Sequence, residues 1–160
     1  MRIESQGLNE CTLATLAALT DTPLSDVRAL ALFYANMLTS DGTTYSTWYD
    51  FHARHNGQFW RVFGRIVEHF GGTEMRRLWT DNMIAYGTDA YVAPAPADSI
   101  PVMGRGTIVL HRNDRRFGHI MPWENGRVYD TAHVKDGGWD LPDLMLQKYS
   151  GWFIFEIVIF

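Results

Sequence analysis

Gln6-Gly7-Leu8-Asn9-Glu10-Cys11-Thr12-Leu13-Ala14-Thr15-Leu16-Ala17-Ala18-Leu19 is a polar lead running into a helix. From Thr12 onward it is rich in strong helix formers and holds no Gly or Pro. Asn9 is the expected N-cap, which places Cys11 in the first turn. There, unpaired backbone N–H groups and the positive end of the helix dipole favour a thiolate over a neutral thiol. The segment has almost no polar face between Leu13 and Leu19, so the helix is expected to run through the core. Cys11 is the only cysteine in the chain. The plain alternative is that it is a small buried hydrophobe, as most lone cysteines are.

Working outward, Thr20-Asp21-Thr22-Pro23 reads as a stop and restart, with Thr22 as cap and Pro23 at the first helical position. A second helix from Pro23 to Leu38 sets Val27, Leu30, Ala31, Tyr34 and Leu38 on one stripe. Residues 40–44 are a turn, and Ser46 to His55 a short helix carrying Trp48, Tyr49 and Phe51. Phe59, Val62, Phe63, Ile66, Val67 and Phe70 follow helical spacing up to Gly71-Gly72. His52, His55 and His69 do not share one helix face and read as surface or aromatic-packing residues. Between Thr73 and Gly106, Met75 to Trp79 suits a short strand, and Pro94, Pro96 and Pro101 mark irregular chain. Strands follow: Thr107 to His111, His119 to Trp123, and Val128 to Asp130 across an Asn125-Gly126 hairpin turn. A short helix starts near Leu141-Pro142, and Gly151 to Phe160 reads as a strand covered on both faces. Helices first and antiparallel strands second define an α+β class.

The 160 residues suit one domain, residues 1–160. With 46% hydrophobic and 20% charged residues, the composition is that of a globular protein. A net charge of −4 argues against nucleic-acid binding, which calls for a basic face. No apolar run reaches the ~18 residues of a membrane span, and the first residues lack the apolar stretch of a signal peptide. A single cysteine excludes an internal disulfide and fits a reducing compartment, so a cytoplasmic location is expected. Arg112, Arg115, Arg116 and Arg127 flank the His119 strand and hint at an acidic group nearby, although a solvated charged loop is the plainer reading.

If Asn125 and Gly126 form the loop, Met121 faces Asp130 and His119 faces Ala132. His119 and Asp130 then leave the sheet on the same face as diagonal neighbours. A carboxylate there fixes the tautomer and orientation of an imidazole. Gly118 leaves room beside His119 for a close approach by another backbone or a substrate.

Gln6 and Cys11 at a helix start, Gly118-His119 opening a strand and Val128-Tyr129-Asp130 on the next together resemble the papain-like cysteine peptidases. The nearest likeness is to short bacterial and phage-type relatives of the bacteriocin-processing peptidases. Ala14, Ala17, Ala18, Leu19 and Pro23 to Val27 contribute to it, so it spans nearly the whole chain. Gln6 stands five residues before Cys11, where the family's glutamine usually stands six before, and Thr12 follows Cys11 where a small or aromatic residue is usual. The resemblance implies a papain-like fold with the nucleophile on a central helix packed on an antiparallel sheet. It implies Cys11 as nucleophile, His119 as general acid and base, Asp130 as its orienter, and Gln6 with the Cys11 N–H as oxyanion donors. The expected function is a thiol hydrolase acting on a peptide or protein substrate at a peptide, isopeptide or related amide bond, without a cofactor. Alternatives are amide or acyl transfer through the same triad, or an inactive protein-binding module. A metal site from His111, His119, His133 and Asp130 fits no strong ligand spacing.

Overall fold

A computed structural model describes residues 1, 3–39, 42–54, 61–66, 68–69, 100, 102–112 and 118–159. Expectations for His55, Phe59, Val67, Phe70, Gly71-Gly72, the strand at 75–79, Pro94, Pro96, Pro101, Arg115 and Arg116 fall outside these residues. The described elements are α1 (Cys11–Thr20), α2 (Leu24–Leu38), α3 (Trp48–Arg54), α4 (helical at 61–66 and 68–69), β1 (Arg105–Arg112), β2 (Gly118–Glu124), β3 (Arg127–Val128), α5 (Leu141–Lys148) and β4 (Trp152–Ile159). The class is α+β: helices, then one antiparallel four-stranded sheet in the order β3-β2-β1-β4.

Every residue of α1 from Thr12 to Leu19 is buried. A helix without a polar face must be covered on all sides, and α1 packs against both α2 and β2. Its start differs from the expectation. Glu10, not Asn9, occupies the N-cap position, and no side chain caps the helix. Asn9 takes a left-handed φ of 56°, which Asn tolerates, and its carbonyl accepts the Trp48 indole N–H at 3.0 Å. Cys11 is still the first helical residue. At α2, Thr22 does not cap: its hydroxyl turns back to the Thr20 carbonyl, and Pro23 is the N-cap residue. Leu24, Val27, Ala31 and Ala35 form the deepest stripe of α2, with Leu30, Tyr34 and Leu38 partly buried beside them. Trp48 and Phe51 of α3 and Val62, Phe63 and Ile66 of α4 complete this helical core.

A second core lies under the sheet, where Leu141 and Leu144 of α5 meet Ile108, Leu110, Met121, Trp123 and Val128. Asn125 (φ 49°) and Gly126 (φ 76°) supply the two positive φ values of a tight hairpin turn. They set Trp123 opposite Val128 and Glu124 opposite Arg127, the expected register. The ladder does not extend to Met121–Asp130 or His119–Ala132. β3 ends after two residues: Val128, in the non-hydrogen-bonded pair with Trp123, directs both backbone groups away from β2 to Trp139 (2.9 and 2.7 Å), and Pro122 has no N–H to return to the Tyr129 carbonyl. One more bond, from Tyr129 N–H to Pro122 C=O at 2.9 Å, closes the hairpin.

That short strand has a consequence for the site. Ile120 shares the parity of Pro122, so its N–H and C=O point to the side that β3 has vacated. Backbone groups in a buried setting need partners, and α1 provides them. The Thr15 hydroxyl donates to the Ile120 carbonyl at 3.1 Å, and the Ile120 N–H bonds the Cys11 sulfur. This explains a fully buried threonine in an apolar helix. Thr15→Val keeps the shape but leaves that carbonyl unsatisfied. It is expected to lower unfolding free energy by about 1–3 kcal/mol in urea titration, with an unchanged slope.

Candidate active site

Cys11, His119 and Asp130 meet along the seam between the two cores. Cys11 is half-buried at the first position of α1, where its own N–H has no intrahelical acceptor. Its thiol hydrogen-bonds the His119 side chain. Burial pushes the thiol pKa up, but the hydrogen bond and charge of His119, helped by the Ile120 N–H and the Thr12 hydroxyl, bring it below the ordinary value.

His119 is 8% exposed, on the same face of β2 as Met121 and Trp123. Its Nε2 lies 2.9 Å from Asp130 Oδ1. An ionised carboxylate can only accept, so Nε2 carries the proton and Nδ1 is the nitrogen left for the Cys11 thiol. Burial opposes a charged ring, yet hydrogen bonds to Asp130 and Cys11 and the charges of both raise the His119 pKa to about 9. A lowered thiol facing a raised imidazole describes a thiolate–imidazolium pair.

Asp130 is 1% exposed and both its carboxylate oxygens are engaged. Oδ1 accepts from His119 and from the Ala132 N–H at 2.9 Å, a turn that folds the chain back after β3. Oδ2 accepts the Tyr149 hydroxyl at 2.8 Å. Against the opposing effect of burial, the hydrogen bond and charge of His119, the Ala132 N–H and the Tyr149 hydroxyl hold the carboxyl below its usual pKa. Tyr149, at the C-cap of α5, also stacks its ring on His119, with centroids 5.5 Å apart and planes 22° apart. Burial and the neighbouring Asp130 push its own pKa up, so it stays a donor.

Gln6 reaches this cluster through the neighbour of Asp130. Its N–H donates to the Thr131 carbonyl at 2.9 Å, and the Thr131 hydroxyl donates to Gln6 Oε1 at 2.7 Å. The side-chain NH2 is thereby left as a donor, and it bonds neither Cys11 nor His119. Residues 130 and 131 thus hold the imidazole and the glutamine amide from one short turn.

Other expected contributors sit elsewhere. Arg127 is spent on the loop ahead of α5, bonding the Gly137 and Gly138 carbonyls and Asp140 (3.1, 2.8 and 2.7 Å). His111 stacks on Phe153, and His133 packs edge-on against Tyr149. At Gly118 the backbone that comes near is that of β1: a Cβ there would stand 3.5 Å from the Leu110 carbonyl oxygen, an ordinary contact.

Tyr149, Thr131 and the Ile120 N–H were not among the expected site residues. Tyr149 lies in a segment whose pattern signals only a short helix, and nothing local links it to Asp130. An Asp followed by Thr-Ala after a hairpin is compatible with a side-chain-capped turn, and that signal could have found Thr131.

Tyr149→Phe keeps the stacked ring and removes one donor from Asp130. The carboxylate then keeps more of its charge for the imidazolium, so the expected result is an upward move of the His119 titration, read by NMR, with a loss of turnover of about tenfold as the carboxylate loses an anchor, since a bond to a charged group is worth roughly 1.5–3 kcal/mol. An unmoved titration would show the hydroxyl to be structural only.

Comparison with family models, curated proteins and solved structures gave no match. Among the described residues, no helix is long and apolar enough to cross a membrane.

Proposed function

We propose that this chain is a thiol hydrolase of papain-like architecture that cleaves a peptide, isopeptide or related amide bond. The observation that carries the reading is the ordered chain Cys11–His119–Asp130, with the nucleophile at a helix start and His119 Nε2 fixed 2.9 Å from a buried carboxylate. Chance packing of the lone cysteine in a 160-residue chain seldom produces that order. The inactive-module reading needs a misaligned triad, and these hydrogen bonds weigh against it.

In the proposed reaction the Cys11 thiolate adds to the carbonyl carbon of the amide, and the oxygen becomes an oxyanion. The Cys11 N–H and the Gln6 amide donate to it. The His119 imidazolium gives its Nδ1 proton to the leaving nitrogen, the C–N bond breaks, and a thioester remains on Cys11. Neutral His119 then takes a proton from water, whose oxygen attacks the thioester. The second tetrahedral adduct expels the thiolate and releases a carboxylic acid. Asp130 holds the ring in one tautomer throughout. Transfer differs only in that an amine replaces water.

Screening peptide and ubiquitin-like substrates beside a Cys11→Ala control tests the reading. Product formation that needs Cys11 supports it, and acyl-amine products would select transfer. A thiol that alkylates no faster than free cysteine at neutral pH would overturn it.

Gln6→Ala is expected to lower turnover on the order of 10²-fold if the amide serves the oxyanion. Thr131→Val should produce part of that loss, in kcat and not in KM, because it frees the amide to flip, and Thr131→Ser should restore it. Unchanged turnover in Gln6→Ala would leave the backbone as the sole donor.

A further inference from the structure

Gly7 to Glu10 join Gln6 to Cys11, so the Gln6 amide and the Cys11 N–H hang from one short segment that precedes α1 and lies in no helix or strand. The segment holds no Pro and one Gly, so local sequence leaves it loose. Tertiary contacts fix it. The Glu10 carboxylate is not spent on the start of α1, which no side chain caps. It reaches back instead to the Gly7 N–H, which Oε2 accepts at 2.8 Å. Arg28 of α2 clamps both its oxygens, Nε to Oε1 at 2.9 Å and Nη2 to Oε2 at 2.8 Å. Between these points Asn9 takes its left-handed φ, and Trp48 of α3 bonds its carbonyl at 3.0 Å. The segment is closed on itself at Gly7 and tied to α2 and α3.

Two features tie these contacts to chemistry. The Glu10 carbonyl accepts the Ala14 N–H at 2.9 Å and so opens the hydrogen-bond ladder of α1. The same planar peptide group carries the Cys11 N–H, so whatever orients Glu10 also aims that donor. The second feature is Gly7. A Cβ added there would stand 2.5 Å from Glu10 Oε2 and 3.1 Å from its Cδ, closer than packed atoms come, and its three nearest atoms all belong to that carboxylate. The carboxylate can make way only by giving up Arg28 and the Gly7 N–H. Isolated surface ion pairs do little, but the Glu10 side chain is 13% exposed, and a two-pronged guanidinium–carboxylate pair fixes direction as well as charge.

We propose that Glu10 and Arg28 are positioning residues for the oxyanion site, with Gly7 as the space that lets them close. They set where the Cys11 N–H and the Gln6 amide stand relative to each other and touch no substrate atom themselves. The inference rests on the proposed hydrolase reading, in which both groups donate to the oxyanion. It adds a helix, α2, that otherwise has no part in the reaction.

Two reagents at pH 7 test it, because only one of them forms an oxyanion. With iodoacetamide the Cys11 thiolate displaces iodide from a methylene carbon. With p-nitrophenyl acetate it adds to the ester carbonyl, whose oxygen becomes the oxyanion, and the adduct expels p-nitrophenolate and leaves an acetyl thioester. The first burst of p-nitrophenolate reads that acylation, and the ratio of acylation to alkylation rates cancels the thiolate fraction. Glu10→Ala is expected to lower the ratio about tenfold, part of the ~10²-fold loss that follows removal of an oxyanion donor. Arg28→Met should match it, and Arg28→Lys should recover part. Gly7→Ala should match it too, yet cost nothing more on top of Glu10→Ala, since the clashing carboxylate is then gone. Alkylation that stays faster than with free cysteine shows that the fold around Cys11 persists in each variant. An unmoved ratio in Glu10→Ala, with both rates falling together, or additive losses in the Gly7–Glu10 double variant, overturns the proposal. If the unaltered protein alkylates no faster than free cysteine, the hydrolase reading and the proposal fall together. If it alkylates fast and the ratio stands still in Glu10→Ala, the proposal alone falls.

Discussion

His119→Gln is expected to slow alkylation of Cys11 at pH 7 by about 10²-fold and amide turnover by about 10³-fold or more. The imidazole supplies the hydrogen bond and the charge that hold the thiol below its ordinary value, while burial pushes the other way. Without His119, burial acts unopposed by that pair, and the thiol moves to or above the ~8.5 of a free cysteine. The thiolate fraction at pH 7 then falls to a few per cent or less. Turnover suffers further because the leaving nitrogen loses its proton donor, a contribution of typically 10²–10⁴. Gln keeps a polar side chain in the buried position, so the fold is expected to survive, and circular dichroism checks that. If alkylation and turnover both stay at the level of the unaltered protein, His119 is not the partner of Cys11.

Asp130→Asn should have an effect of similar size by a different route. The unaltered protein should show a rate that rises with ionisation of Cys11, below the ordinary thiol range, and falls as His119 loses its proton near pH 9. In Asp130→Asn the imidazolium loses its carboxylate, and burial drags the ring pKa down. The alkaline limb then moves toward neutral pH, and turnover at pH 7 falls on the order of 10²–10⁴-fold as the ring loses its fixed tautomer. Stability follows the same groups. The His119 pKa is raised from 6.5 to about 9, so its contribution is complete below pH 6.5 and lost as pH rises through about 9. The Asp130 pKa is lowered from 3.8, so its contribution is present above that value and lost on acidification. Urea unfolding should therefore find the unaltered protein's margin over Asp130→Asn widest between about pH 4 and 6.5. It should shrink at pH 10. A margin that grows toward pH 10 would contradict the ion pair.

The sequence by itself determined the elements that local chemistry controls. An apolar run without Gly or Pro sets α1, and Cys11 falls in its first turn even though the cap passed from Asn9 to Glu10. Asn-Gly fixes the hairpin register at Trp123–Val128, because two consecutive positive φ values leave few other turns. Alternation along β2 placed His119 with Met121 and Trp123, and the closeness of His119 to Asp130 was readable from that register.

How they meet was not readable. The two side chains touch through a turn beyond the ladder, since Pro122 lacks the N–H that would carry the pairing on past Tyr129. Only the tertiary structure decided that the vacated edge of β2 is filled by α1, which brings Cys11 to His119 across more than a hundred residues of chain. It also decided that Tyr149 at the end of α5 completes Asp130, and that Thr131 holds Gln6. The physical reason is the range of the interactions. Periodicity, caps and turns act between residues a few positions apart, and a sequence displays them. Satisfying a buried carbonyl, an edge N–H or a second carboxylate oxygen depends on which distant element lies alongside, and that is set by the packing of the two cores.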